Sequence, residues 1–458
     1  MTTANDLKAF HWTPQPDARK LLDAIVGDFL ARTPDAADLA VRLRHETGTR
    51  FFDWIDHVTL PDSPDRQHDL LAAGYLPRPA PAAPRCFEHE QGMFPRVILD
   101  AGPLVRVAIK VESVVDFLAV AGMLAAIEGT PLSPLRRARV FAGDSSELWI
   151  IERHGYRGFE SPDWSATASA RVLHHLEQFR LRRRDFAGDA DGFAEARRLI
   201  AAAIADLGRD YAADLFFSAE REFWQRRNRA GQVQKGRQDR LGMGWANHDH
   251  HTYRSSRSHF ASLIAFFETL GFHVRERFYA SREAGWGAQV LEQPDAGVVI
   301  FADVDLAPDE LLEDFAHQQL PPRHELGTVG LWCALHGESF LQAGMHHLEC
   351  QFDFDAVREQ LRTRERIQVM KPFTDFSYLR QAFTEGERWP VREDRIARLL
   401  ESRQLTPEQA GQFRRNGAIG SHLENLERND GFKGFNQKGV SEIIAATDPR
   451  RHQQPTGA

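Results

Sequence analysis

Cysteine is scarce in this chain: three in 458 residues. Cys86, Cys333 and Cys350 give neither a disulfide framework nor a CxxC zinc pattern, and a reducing compartment is expected. Long apolar runs are missing too, none approaching the roughly 18 residues needed to span a bilayer. The segment Met1-Thr2-Thr3-Ala4-Asn5-Asp6 lacks a basic stretch followed by an apolar core, so the sequence predicts a cytoplasmic protein. There is no excess of positive charge. With 57 Lys and Arg against 65 Asp and Glu, the net charge is −8, which argues against a nucleic-acid partner. The basic run Arg180-Leu181-Arg182-Arg183-Arg184 reads as a solvated helix face. Cofactor signatures are absent as well. Gly285-Trp286-Gly287 and Gly327-Thr328-Val329-Gly330 lack the strand, spacing and acidic residue of a dinucleotide fingerprint, and no P-loop occurs. Gly337-Glu338-Ser339-Phe340-Leu341 lacks the second glycine of a nucleophile elbow, which excludes that form of serine-hydrolase chemistry.

Histidine is plentiful, and its placement carries the chemistry. Asn247-His248-Asp249-His250-His251-Thr252-Tyr253-Arg254-Ser255 reads as a short strand, and alternation sends His250, Thr252 and Arg254 to one face. An imidazole beside a guanidinium suits a metal centre that handles an organic acid, because Arg grips a carboxylate with two parallel hydrogen bonds; a merely solvated His-rich loop is the alternative. Gly344-Met345-His346-His347-Leu348-Glu349-Cys350-Gln351-Phe352 is a second strand-like run, with His347, Glu349 and Gln351 on its polar face. His347 is therefore preferred over His346 as a ligand. Ser421-His422-Leu423-Glu424-Asn425-Leu426-Glu427-Arg428 supplies a carboxylate, followed by the Gly- and Phe-rich stretch from Asp430 to Gly439. Two imidazoles and a carboxylate with open positions form the ligand set of non-haem Fe(II) oxygenases.

In order and local wording these segments resemble the 2-oxoadipate dioxygenase/decarboxylase (hydroxyglutarate synthase-like) family of the vicinal-oxygen-chelate superfamily. His250-His251-Thr252-Tyr253-Arg254-Ser255 is similar to its His-x-x-x-Arg strand, and Ser421 to Arg428 to its Tyr-Ile-Glu-Phe-x-Glu-Arg strand; Leu270-Gly271-Phe272 and Val299 to Asp303 match loosely. The likeness covers roughly residues 240 to 450. It implies His250, His347 and Glu424 as metal ligands, Fe(II) as cofactor, Arg254 as carboxylate clamp, and a 2-oxo acid and O2 as partners. Two departures stand out: His251 follows the first ligand, and His346-His347-Leu348-Glu349 replaces an Asn-His-[Leu/Val]-Thr pattern, which leaves the second ligand open by one position and makes the pocket wall more acidic. Asn436, Gln437 and Lys438 follow the carboxylate strand and are candidates for contacting a distal polar group.

The N-terminal half shows a βαββ-like order twice. Trp54 to Leu60, Arg96 to Leu99, Val105 to Val111, Arg139 to Phe141 and Leu148 to Ile151 read as strands, Asp65 to Tyr75 and Ser113 to Glu128 as helices. Asp56-His57-Val58-Thr59-Leu60 resembles a metal strand of the same superfamily, but Lys110 stands where a second imidazole is expected, so a structural copy without metal is expected; His57 with Glu112 and Glu152 is the rival site. Apolar recurrence at three and four positions predicts helices over 166–184, 193–207 and 211–228, and the polar stretch Gly231 to Gly244 a loop closing over the site. The expected organisation is α+β: vicinal-oxygen-chelate-type βαββ(β) modules in half-open barrels, with an N-terminal α+β domain over 1–165, a helical connector over 166–240, a catalytic metal-binding domain over 241–450 and a disordered tail over 451–458. The expected activity is Fe(II)-dependent, decarboxylating oxidation of a 2-oxo acid such as 2-oxoadipate. An isomerase or lyase using a redox-inert metal and a non-catalytic acid-binding protein are the alternatives.

Overall fold

A computed structural model describes residues 12–78, 85–282, 284–436 and 448–450. The expected disordered tail lies outside the described residues. Two helices, α1 (Pro16–Arg32) and α2 (Pro34–Arg42), precede the first sheet. That sheet holds β1 (Ile55–Pro61), β2 (Leu76–Arg78), β3 (Arg85–Glu88), β4 (Arg96–Asp100), β5 (Val105–Lys110), β6 (Ile127–Glu128), β7 (Leu135–Ala142) and β8 (Ser146–Arg153). α3 (Pro64–Ala72) follows β1 and α4 (Val114–Ala121) follows β5. Each helix starts where a serine hydroxyl, Ser63 or Ser113, accepts a backbone N–H of the first turn, one of the donors a helix start leaves unpaired. The helix expected over Ser113 to Glu128 stops early, at Ala121. Gly122, at φ +64°, caps it, with Met123 N–H on the Leu118 carbonyl, a left-handed cap that only glycine adopts cheaply.

Four helices then follow: α5 (Ala166–Leu181), α6 (Asp189–Leu207), α7 (Arg209–Gln225) and α8 (Arg229–Asp239). The first three share a core with the second sheet, joining Phe179, Phe193, Phe216 and Phe217 to Tyr253, Phe267 and Leu348. Beyond Leu181 the basic run turns inward rather than to solvent: Arg182 and Arg184 both bind the buried carboxylate of Glu220. A buried Glu needs such partners to stay ionised, which the sequence pattern of the run does not reveal. The loop expected over Gly231 to Gly244 is mostly α8, and it lies at the junction of the halves rather than over the site. Gln234 donates to the Thr47 carbonyl at 2.9 Å, Arg237 to the Glu46 carbonyl at 3.0 Å, and Gln238 to Asn247 Oδ1 at 3.0 Å. Its polar side chains are thus buried bonding groups, not a solvated loop.

The second sheet contains β9 (His248–Arg254), β10 (His273–Ser281), β11 (Trp286–Gln293), β12 (Val298–Asp305), β13 (His347–Gln351), β14 (Thr374–Phe376), β15 (Leu379–Phe383), β16 (Glu387–Trp389) and β17 (Ala418–Arg428). α9 (Phe260–Thr269), α10 (Thr328–His336), α11 (Phe354–Arg364), α12 (Glu393–Glu401) and α13 (Pro407–Asn416) connect them.

The two sheets have one topology. The first runs β2-β3-β4-β1-β5-β8-β7-β6 and the second β10-β11-β12-β9-β13-β17-β15-β14, with β16 pairing only β17. In each, two βαβββ modules meet through antiparallel opening strands, β1 with β5 and β9 with β13, and each opening strand runs parallel to its module's last strand. This is the vicinal-oxygen-chelate-type α+β arrangement expected for both halves, each a curled half-open barrel. The register deepens the match. Thr59 opposes Arg106 as Thr252 opposes His347, and both central pairs carry a bulge just beyond. No helix among the described residues is long and apolar enough to cross a membrane.

Candidate metal centre

Strand alternation builds the site. On β9, His250, Thr252 and Arg254 line one cavity, joined by His347 from β13, Glu424 from β17 and Gln381 from β15. Glu349 follows His347 by two residues and lies directly opposite Glu424 in the β13–β17 register. Its carboxylate meets both imidazoles, with Oε1 2.9 Å from His347 Nε2 and 3.2 Å from His250 Nε2. Glu424 Oε2 lies 3.9 Å from His347 Nε2, and its Oε1 accepts Gln381 Nε2 at 2.8 Å. His250, Glu349 and Glu424 each offer one ligand atom within 4.8 Å of the others, the one such group among the described residues.

Every one of these groups is buried, and burial sets their protonation. It pushes Glu424 up to about 8 and Glu349 well above the carboxylate range, the latter also because the two acids face each other. His250 and His347 are pushed down, toward the neutral form a metal requires. Two acids and two imidazoles facing one another favour a cation among them, since paired carboxylates cannot both ionise cheaply. Glu349 Oε2 and His347 Nδ1 are buried without a hydrogen-bond partner among the described residues. A divalent cation with N and O ligands fits this donor set.

His250 is oriented from behind. Its Nδ1 lies 2.9 Å from Asp249 Oδ1, which leaves Nε2 facing Glu349. Asp249 in turn accepts Arg428 Nε at 2.9 Å, Arg428 Nη2 at 3.0 Å and Gln351 Nε2 at 3.0 Å. Burial would raise Asp249, but Arg428 and His250 overrule it and hold it well below the usual range. Arg428 also donates to the Phe432 and Gly434 carbonyls, and this loop brings the Phe435 ring edge-on to His250 at 4.9 Å. A carboxylate–imidazole pair of this kind is what fixes a ligating histidine in other metal sites.

The cavity measures about 60 Å³ and is walled by Phe278, Trp286, Phe301, Phe373, Phe383 and Phe435. Arg254 and Asp303 stand at its far side, 3.5 Å apart from Nε to Oδ2, too long for a good N–H···O bond. Arg254 Nε and Asp303 Oδ1 are buried without hydrogen bonds among the described residues. Burial, opposed by Arg254, pushes the Asp303 carboxyl up to about 7.

The structure thus gathers His250, His347, Glu424 and Arg254 around one cavity, and Asn436 lines it too, its Nδ2 donating to Thr374 Oγ1 at 3.2 Å. Gln437 and Lys438 lie outside the described residues. His346 turns away, with Nδ1 3.0 Å from the Gly420 carbonyl. The rival trio is dispersed: His57 binds Asp56, Glu152 binds His154 and the Val114 N–H, and Glu112 binds Lys235. Lys110 does not hold the position opposite the second ligand. The register assigns that place to Arg106 and matches Lys110 to Gln351, an offset that a strand read without its partner does not show. Sequence reasoning set Glu349 on the His347 face without treating it as a donor. Asp249 and Asp303 passed unnoticed, although both adjoin or alternate with residues already singled out.

No protein-family model and no curated protein matches the sequence. Among solved structures, a mutant 4-hydroxymandelate synthase from Streptomyces coelicolor aligns at 12% identity over 87% of this chain and 99% of its own, TM-score 0.28. Methylmalonyl-CoA epimerase from Mycobacterium tuberculosis aligns at 14% identity over 40% of this chain and 88% of its own, TM-score 0.23. The uncharacterized protein YdcJ from Shigella flexneri aligns at 13% identity over 52% and 73%, TM-score 0.25. At such scores the fold rests on the strand order and the site on its own side chains.

Proposed function

We propose that the chain is a mononuclear non-haem Fe(II) dioxygenase that decarboxylates a 2-oxo acid, with His250, His347 and Glu424 as the metal ligands. The observation that carries this reading is the meeting of two imidazoles and a carboxylate from three neighbouring strands in a cavity whose far wall holds the buried Arg254. The chemistry that bound Fe(II) would supply is activation of O2 for loss of CO2 from the 2-oxo acid and hydroxylation of the shortened acid. The chain's own residues do the rest. Arg254 binds the substrate's carboxylate and so aims its reacting carbon, a positioning role. Asp249 keeps the His250 proton on Nδ1, so that Nε2 presents a lone pair. The phenylalanine walls exclude water, and Asn436 contacts a distal polar group. The family resemblance points to a dicarboxylic 2-oxo acid such as 2-oxoadipate, in a cytoplasmic setting.

Glu349 favours a second reading. A fourth protein donor leaves fewer open positions than the oxygenase set needs, and a carboxylate beside a metal suits an isomerase or lyase that moves a proton next to a carbonyl. Anaerobic reconstitution with Fe(II), then oxygen uptake over 2-oxo acids of graded length, separates the two. Stoichiometric O2 consumption and CO2 release support the dioxygenase. Deuterium exchange at the carbon next to the carbonyl without O2 uptake, with Mn(II) or Zn(II) equally effective, supports the isomerase. Saturable acid binding with neither activity leaves a binding protein.

A further inference from the structure

In the proposed ligand set Glu424 carries the only negative charge, and a neutral amide holds one of its oxygens. Gln381 of β15 is buried and reaches the site by register. Phe383 lies directly opposite Glu424 in the antiparallel β15–β17 pair. Gln381, two residues along, shares the cavity face by alternation and is the diagonal neighbour of Glu424, within reach of a long side chain. Its Nε2 donates to Glu424 Oε1 at 2.8 Å, and both residues line the metal cavity. An ionised carboxylate only accepts hydrogen bonds, so the amide must present its NH2 side. The other oxygen, Oε2, is the one that lies toward His347 Nε2, at 3.9 Å. Glu349, which faces Glu424 across β13 and β17, is held differently. Thr252 Oγ1 donates to its Oε1 at 2.9 Å, the same oxygen that meets both imidazoles. At Glu424 the two oxygens are divided, one to the amide and one to the imidazole.

That the donor is an amide has a chemical consequence. A guanidinium or ammonium in its place would neutralise the carboxylate through a charge-assisted bond and compete with a cation for it. An amide fixes the carboxylate's direction and leaves its charge. Direction in turn decides how many oxygens a cation receives. With Oε1 engaged, Glu424 offers Oε2 alone, and two imidazoles with one oxygen leave the open positions of the oxygenase ligand set. A carboxylate free to turn would bring both oxygens to the cation and close one of those positions. We infer that Gln381 is a positioning residue of the metal centre, which holds Glu424 to one-oxygen ligation and so keeps a place open for substrate. This rests on the reading of Glu424 as a metal ligand, and adds to it the residue that sets its mode of binding.

The test is titration of the full chain with Co(II), read by its visible absorption, which weakens as the number of atoms bound to the ion rises. Gln381→Met keeps the length of the side chain and removes the donor. It is expected to bind Co(II) with weaker absorption than the parent chain, at an affinity lowered roughly 10–100-fold, the range usual for loss of an outer partner. A glutamine that only fills space would change thermal stability and leave the absorption alone, so a parent-like absorption in the folded, Co(II)-saturated variant overturns the inference whatever the affinity. Should Gln381→Met fail to fold, Gln381→Asn decides by the same reading, since its shorter amide falls short of Glu424. Glu424→Gln tells the two failures apart. Loss of Co(II) there, with a parent-like spectrum in Gln381→Met, removes only the role of Gln381. Co(II) bound at full affinity in Glu424→Gln removes Glu424 from the ligands, and the inference with it.

Discussion

In the N-terminal sheet Asp56 sits 2.6 Å from His57 Nδ1 and is gripped by Arg153, whose Nη1 also holds the Tyr156 and Gly158 carbonyls. In the C-terminal sheet Asp249 sits 2.9 Å from His250 Nδ1 and is gripped by Arg428, which holds the Phe432 and Gly434 carbonyls. Phe159 meets His57 edge-on at 5.0 Å, as Phe435 meets His250 at 4.9 Å. The halves therefore share one clasp down to its aromatic cover. They differ at the donors. Where the C-terminal sheet has His347, Glu349 and Glu424, the register of the N-terminal sheet gives Arg106, Ala108 and Trp149. Arg106 is held by Asp100 and Glu147. The difference teaches that orienting a histidine is useful to the fold by itself, as a satisfied buried network, while the proposed metal centre needs the further convergence of acids that only the C-terminal sheet shows among the described residues.

The comparison breaks most sharply at the ligands. His250→Ala or Glu424→Gln should lower metal affinity by more than about 10²-fold, beyond what loss of an outer partner costs, whereas His57→Ala should leave metal content unchanged in equilibrium dialysis. Metal released by His57→Ala would end the asymmetry. Next comes Arg254→Lys, which should keep the metal yet lose most turnover, because an ammonium cannot make the bidentate fork; leaving a buried carboxylate badly paired costs on the order of 2–5 kcal/mol. Near-normal turnover would remove Arg254 from substrate binding.

The shared clasp gives a smaller, paired effect. Asp249→Asn should weaken metal binding by roughly 10–100-fold, while Asp56→Asn, the same change in the other half, should alter thermal stability and not metal affinity. Equal metal loss in both would mean that the halves act as one site. The smallest effect is with pH. With Asp303 raised by burial to about 7, the proposed clamp role predicts that protonation below that pH frees Arg254 for a substrate carboxylate, and that above it Asp303 competes. Substrate affinity should therefore fall by less than about tenfold as pH rises past 7, and Asp303→Asn should flatten the profile. The same proton sets stability. A carboxyl whose folded pKa lies above its unfolded value stabilises the protein fully at low pH, and the gain is lost as pH rises from the unfolded carboxyl range through about 7. An unchanged profile in Asp303→Asn would separate Asp303 from Arg254.

Much of this was legible in the chain. Period-two alternation alone puts His250, Thr252 and Arg254 on one face and His347 with Glu349 on another, so the residue types and their facing belong to the sequence. The repeat of strand–helix–strand order in the N-terminal half was legible in part, because α3 and α4 start at serine caps and β1, β4, β5, β7 and β8 carry apolar runs, whereas the short β2, β3 and β6 do not stand out from their neighbours. Register was not, for it depends on which residue of a distant strand lies opposite: the pairing of Thr59 with Arg106 puts Arg106, not Lys110, in the second ligand's place. Nor could the sequence say that Glu349 would face Glu424 across β13 and β17, that Asp249 would be clasped by a residue 179 positions away, or that polar α8 and the inward-turning Arg182 would be buried. What the sequence determined by itself was the local conformation and the side each side chain takes, since these follow from neighbours in the chain. Pairing, convergence and the charge balance of buried groups were decided only by the tertiary structure, because each is an interaction between segments whose separation in sequence carries no information about their distance in space.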